Sequence, residues 1–182
     1  MKKTLALISA LAALAAAPAR AEEPAARLEV APLVGAFMPI LDQRDSLGDA
    51  LLVGLVGTYD FHPNVAFAAS VAWAAPEAAG RTVDLFQWDI GLQGQLPYAL
   101  SGSWTLKPFV GVGVGTRTYD FRTAAIETET DFHFYSALGA SLRRGGLDVA
   151  LTLRHELTTG GPQGDNGTRG NLAPFASVGY RF

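Results

Sequence analysis

Hydrophobic and polar positions alternate with a period of two through most of this chain. Phe132, Phe134, Ser136, Leu138, Ala140 and Leu142 share one parity, and His133, Tyr135, Ala137, Gly139, Ser141 and Arg143 share the other. The contrast sharpens further on, where Leu147, Val149, Leu151 and Leu153 oppose Asp148, Ala150, Thr152, Arg154 and Glu156. Successive side chains of a strand point to opposite faces, so this pattern describes strands lying between two different surroundings. The same alternation predicts eight strands, at about 28–38, 50–60, 65–73, 82–96, 104–120, 131–142, 147–157 and 172–182. Each has about the 9–11 residues that cross a bilayer at a tilt, or slightly more.

The connections between these strands alternate in length. Those at 39–49, 74–81, 121–130 and 158–171 are longer, while those at 61–64, 97–103 and 143–146 are shorter, two of them carrying the turn residues His62-Pro63-Asn64 and Gly145-Gly146. Hydrocarbon offers no hydrogen-bond partner to a backbone group, so strands can span it only in a sheet that closes and leaves no edge. The predicted fold is therefore all-β, an eight-stranded antiparallel transmembrane up-and-down β-barrel. Eight strands leave an interior just wide enough for side chains to fill, so no wide aqueous pore is expected. Long loops outside and short turns in the periplasm are the usual arrangement of such barrels, and an even strand number puts both termini on the turn side.

Two organisational features refine this picture. Residues 1–21 read as an export signal: Lys2 and Lys3, an apolar stretch from Leu5 to Ala17, then Pro18 and the small-x-small site Ala19-Arg20-Ala21. The apolar stretch is too short for the roughly 20 residues of a spanning helix. Residues 22–182 are then the barrel domain. The 182 residues contain no cysteine, which excludes a disulfide scaffold and any cysteine-ligated metal. Net charge is -3, and loss of Lys2, Lys3 and Arg20 with the signal makes it -6. An acidic balance argues against a nucleic-acid partner, which would need a basic face.

Facing follows from where charge is tolerable, because a lysine or arginine facing lipid at mid-bilayer costs about 2–4 kcal/mol. In the fourth segment Gln87, Asp89, Gly91, Gln93 and Gln95 point inward, with Phe86, Trp88, Ile90, Leu92 and Leu96 toward lipid. In the fifth, Lys107, Gly111, Gly113, Gly115, Arg117 and Tyr119 point inward, against Leu106, Val110, Val112 and Val114. The first two segments carry bulky apolar residues on both parities, and their facing stays open. Aromatics near segment ends (Tyr59, Phe61, Trp73, Tyr98, Trp104, Tyr119, Phe121, Tyr180 and Phe182) mark the expected interfacial girdles. The inward charges Asp89, Lys107, Arg117, His133, Asp148, Arg154 and Glu156 are of both signs. Buried charges persist when paired, so these are expected to form a structural network filling the lumen, or to gate a small-solute path.

The closing sequence Val178-Gly179-Tyr180-Arg181-Phe182 ends on an aromatic, with aromatic or apolar residues at every second position before it. Together with the signal, the eight amphipathic segments and the run Lys107-Pro108-Phe109-Val110-Gly111-Val112-Gly113-Val114-Gly115, it resembles the small outer-membrane barrels of the OmpA transmembrane domain, OmpX and OmpW type. The resemblance is one of pattern across nearly the whole mature chain. It implies residence in the outer membrane of a Gram-negative bacterium, contact with outer-membrane lipid and lipopolysaccharide, and a monomeric state. It further implies delivery by the outer-membrane assembly machinery, with Tyr180 and Phe182 as the assembly signal. Because the chain stops at Phe182, the periplasmic peptidoglycan-binding domain of full-length OmpA is not expected. The function it implies is non-enzymatic, in envelope structure or surface interaction; the alternatives are an OmpW-like conduit for small or hydrophobic solutes and a PagL-like lipid A-modifying enzyme.

Candidate chemistry is sparse. Gly111-x-Gly113-x-Gly115 lacks the strand-to-helix setting of a dinucleotide loop, and its spacing instead gives room on the lumen face of a strand. His155, on the outer parity, invites comparison with PagL-type lipid A deacylases, which are eight-stranded barrels with a catalytic histidine and serine on the outer surface. In that pattern the serine follows the histidine by two residues, where this chain has Leu157, and Thr158 is on the opposite face. A nucleophile needs a base in reach and an orienting acid, so His155 is expected to be an interfacial residue near the strand end rather than a catalyst. In the glycine-rich connection from Thr158 to Asn171, Asn166-Gly167-Thr168 matches a glycosylation acceptor only formally, and Asp165 with Asn166 is too sparse for a calcium loop. That connection is expected to be a surface loop, open to recognition roles. No cofactor or metal motif is found in the sequence.

Overall fold

A computed structural model describes residues 28–100, 102–121, 128–158 and 169–182. The expected export signal and residues 159–168 of the last long connection, including Asn166-Gly167-Thr168, lie outside the described residues. Eight long strands form the wall: β1 (Leu28–Leu41), β2 (Ala50–His62), β3 (Val65–Ala74), β4 (Asp84–Gln95), β5 (Trp104–Asp120), β6 (Glu129–Arg144), β7 (Leu147–Thr158) and β8 (Arg169–Arg181). Each is antiparallel to the next, and β8 returns to β1 through pairs such as Val34 with Ala176 and Leu33 with Ser177. The ring is closed, so every wall strand has a neighbour on both sides, as hydrocarbon requires. Among the described residues no helix is long and apolar enough to cross a membrane; the crossing elements are strands.

The eight predicted segments coincide with the eight strands, with ends displaced by up to three residues. The connection after β4 departs from the short-turn expectation. It spans residues 96–103, as many as the loop after β1, and folds back on the wall through a short ladder of Tyr98 with Leu106 and Ala99 with Thr105. Leu96, expected toward lipid, lies in this connection beyond the end of β4. The two ends of the barrel are nevertheless distinct. Pro63-Asn64, residues 96–103, Gly145-Gly146 and the first and last described residues gather at one end, where the Phe182 N–H donates to the Leu28 carbonyl. The opposite end carries residues 42–49 and 75–83 and the last residues of β5 and β7. These are termed the turn end and the loop end.

Alternation places the apolar residues of the wall outside, as in Leu51 and Leu55 of β2, Phe86, Trp88, Ile90 and Leu92 of β4, and Leu147 to Leu153 of β7. Leu151 is 67% exposed, an arrangement that water would penalise and lipid would not. The structure also settles β1 and β2. Ala31, Leu33 and Phe37 point inward from β1, and Leu52 and Asp60 from β2. Both parities are apolar there because the loop half of the lumen holds an apolar cluster in which Leu33, Phe37 and Leu52 meet Val83, Leu85 and Phe175. Leu47 joins it from the first loop, which starts with the 3-10 turn Asp42–Asp45. Tyr119, placed by its sequence position both on the inner face and in the girdle, is in the lumen, where Gln43 Nε2 donates to its hydroxyl at 3.0 Å. At the turn end, Tyr59, Phe61, Tyr98, Tyr180 and Phe182 are exposed on the outside, as a girdle requires.

Candidate functional site in the barrel lumen

All seven inward charges expected from the sequence are buried. They separate into two groups along the barrel axis. The loopward group gathers Asp89 of β4, Arg117 of β5, His133 of β6, and Arg154 and Glu156 of β7. Asp89 is its first centre: it accepts from Arg154 at 2.6 Å and from the Ser70 hydroxyl at 2.8 Å, and His133 Nε2 lies 2.5 Å from its Oδ1. Glu156 is the second, paired with Arg117 and accepting from Gln87 at 2.6 Å and Asn171 at 2.9 Å. Gln87 links the two, donating to both carboxylates while its own carbonyl accepts from Arg117 at 3.0 Å. Aromatic faces complete the enclosure, with Arg117 5.3 Å above the Phe37 ring and Arg154 4.4 Å above that of Tyr135. Two arginines and two carboxylates cancel within this group, which answers most of the desolvation penalty of burying them.

The turnward group holds the other two expected residues, Lys107 and Asp148, with four that the sequence reading left out of the set: Glu29, Asp60, Arg143 and Arg181. Asp60 is 2.9 Å from Arg181, 3.7 Å from Lys107 and 3.9 Å from Arg143, and accepts from Gln95 at 2.8 Å. Arg143 reaches Asp148 at 2.9 Å and Glu29 at 3.1 Å. Again the charges balance, three acidic against three basic. Arg143 lies on the inward parity of β6, and its signal was legible. Glu29 and Asp60 sit on the two strands whose facing the alternation left open.

Between the two groups lies a cavity of about 60 Å³, lined by small side chains such as Ala68, Ala137, Ala150 and Gly111, with Lys107 at one end and Arg154 at the other. That is room for a few water molecules, each needing about 10–15 Å³ by this measure. The glycine run of β5 serves a neighbouring purpose. A Cβ on Gly113 would lie 2.4 Å from the Tyr135 ring and 2.3 Å from the Ile90 carbonyl oxygen, so the ring rests directly on the backbone of β5.

Asp89, His133 and Glu156 each bring a possible metal-ligating atom to within 4.8 Å of the others. Both carboxylates already carry an arginine, so a cation there would have to displace Arg154 and Arg117 rather than join them. On the outside, His155 has Leu153 and Leu157 along its own strand and Ser136 and Leu172 opposite it on β6 and β8. The hydroxyl that the sequence lacks two residues further on is thus supplied across the ladder, but these neighbours bring no carboxylate to orient the ring. Leu157 and Phe134 form the next pair toward the loops; His155 therefore stands inside the apolar band, not at its rim as its place near the strand end suggested. Tyr180 and Phe182 project from the outer wall at the turn end, their rings edge to face at 5.2 Å.

Comparison with known proteins agrees with this architecture. A family model described as "Outer membrane protein beta-barrel domain" matches residues 5–182. Among solved structures, Neisserial surface protein A is 13% identical and superposes with a TM-score of 0.61 over 88% of this chain and all of its own. The outer membrane protein OprG from Pseudomonas aeruginosa is 14% identical, with a TM-score of 0.55 over 86% of this chain and 96% of its own. Likeness at this identity concerns the fold. No curated protein matches the chain.

Proposed function

Because the chain belongs to the outer membrane protein β-barrel domain family, we propose that it is a monomeric, non-enzymatic barrel of the Gram-negative outer membrane whose lumen is closed. Its role is then in envelope structure or in surface interaction through the loops. The observation that carries this reading is the pair of charge-balanced layers across the lumen, one centred on Asp89 and Glu156 and the other on Asp60 and Asp148. In the loop half the apolar cluster around Phe37 and Leu85 adds a further obstruction. Outer-membrane lipid and lipopolysaccharide are the partners of the apolar wall, and the exposed Tyr180–Phe182 pair is what the strand offers to the assembly machinery. The gated-conduit alternative draws on the cavity between the layers, but a solute would have to part both networks to use it.

The orientation that surface interaction requires is testable by labelling, since the sequence has no cysteine to interfere. Ser46 is exposed in the loop after β1, and Pro63 is exposed in the turn between β2 and β3. In intact cells Ser46→Cys should react with an impermeant maleimide, while Pro63→Cys should react only after the outer membrane is permeabilised. The reverse pattern would put the turns outside and remove the basis for loop-mediated interaction.

A further inference from the structure

His155 of β7 and Ser136 of β6 stand directly opposite each other in the ladder, both on the outer wall and both half-exposed. Leu157 with Phe134 forms the next outward pair toward the loops, and Leu153 with Leu138 the next toward the turns. Two polar side chains are therefore enclosed above and below by apolar ones. At about 3.3 Å per residue they lie some 7 Å inside the row containing Phe134. Among the described residues neither has a hydrogen-bond partner. Polar groups turned toward hydrocarbon without a partner are costly, so a partner from the surroundings is favoured.

Immediately turnward of the pair, an open groove of about 530 Å³ crosses β6, β7, β8 and β1. Its low points are Ala140, Ala176 and Pro174, and Val34, Leu138 and Leu151 rise beside them. The alanines flank Leu151 on either side, since Ala140 and Ala176 are its two cross-strand partners. The groove is thus an apolar channel with two hydrogen-bond donors at its loopward end. Phe132 and Phe134, exposed just beyond that end, mark the depth at which aromatic residues meet the headgroup boundary.

We infer that this part of the wall is a binding site for one acyl chain of a lipid in the loop-side leaflet. The chain lies in the groove, and the His155 ring N–H and the Ser136 hydroxyl donate to its ester carbonyl oxygen. The depth suits the assignment, because the ester linkage of a membrane lipid lies just below the headgroups. The inference rests on the reading that the outer wall faces lipid.

The test uses the full barrel in phosphatidylcholine vesicles containing a trace of phosphatidylcholine with a photoreactive diazirine in one acyl chain, in ester-linked and ether-linked forms. After illumination, adducts are mapped by mass spectrometry. With the ester lipid, adducts on β6 to β8 around Ala140, Leu151 and Ala176 should exceed those on the opposite wall, β2 to β4, by about fivefold, the factor that one net hydrogen bond of about 1 kcal/mol corresponds to. The ether lipid, lacking the carbonyl, should lose most of this excess. So should His155→Leu and Ser136→Val, whose apolar side chains suit a lipid-facing wall and leave folding intact, and Ala140→Leu, which fills the groove. Adducts spread evenly around the wall, or an excess unchanged in His155→Leu or with the ether lipid, would overturn the site while leaving the membrane barrel intact. Adducts on no part of the wall would overturn both.

Discussion

Arg117→Met should destabilise the folded barrel by about 3–5 kcal/mol, the cost of depriving a buried carboxylate of its nearest counter-charge. Arg117 is fully buried, at 0% exposure, and holds Glu156, Gln87, Asn171 and Tyr119 together. Without the guanidinium, Glu156 keeps the amide donors of Gln87 and Asn171 and a longer ion pair with Arg154 at 3.8 Å. The measurement is the urea midpoint of unfolding in lipid vesicles, followed by tryptophan fluorescence. Removing both charges, as in Arg117→Met with Glu156→Leu, should recover a large part of the loss, because a buried pair replaced by apolar groups is often near neutral. The double-mutant cycle then gives a coupling well above the few tenths of a kcal/mol seen between independent sites. Additive effects of the two substitutions would mean that the pair does not act as a unit.

Gly113→Val should leave about a tenth or less of the protein in the folded, heat-modifiable form, since forcing bulk into a filled site costs about 1–3 kcal/mol and here the obstruction is partly backbone. The new Cβ would meet the Ile90 carbonyl oxygen at 2.3 Å and Tyr135 ring atoms at 2.4 and 2.6 Å. Moving the tyrosine relieves only half of that conflict. Gly111→Val is the control: its Cβ would be 3.4 Å from the Leu92 carbonyl oxygen and 3.7 Å from the Ala137 Cβ, so it should fold at near wild-type yield. Equal yields for the two variants would show that the glycines are interchangeable spacers and that the close approach of Tyr135 to β5 does not matter.

Strand number and the facing of β4 to β7 were legible because the two surroundings there differ in chemistry. Gln87, Asp89, Lys107, Arg117, Arg154 and Glu156 fill one side and Trp88, Ile90, Val110, Val112, Leu151 and Leu153 the other. Period-two reading fails where the surroundings are alike. Phe37 and Leu52 point into an apolar part of the lumen while Val34 and Leu51 point toward lipid, so no contrast marks the inner face of β1 or β2. The loss of Glu29 and Asp60 from the expected charge set follows from that ambiguity, and with them two of the three carboxylates of the turnward layer were hidden.

Pairing across the barrel is a separate matter. Asp89 meets His133 across 44 positions of sequence and Arg154 across 65. Alternation says only that these residues share an interior; the register of neighbouring strands decides which of them touch. His155 illustrates the same limit on the outside. Its distance from the end of β7 suggested a rim position, whereas the pairing of Leu157 with Phe134 extends the apolar band beyond it.

A lumen closed by two charge-balanced layers leaves no continuous path for ions, so conduction across a bilayer distinguishes it from an open barrel. Purified full-length barrel inserted in a planar bilayer should give at most small, intermittent currents, because eight strands leave little space beyond the side chains and both layers span what remains. Insertion is verified independently by heat-modifiability of the same preparation. Steady, ohmic, porin-sized conductance from the folded protein would contradict the closed lumen.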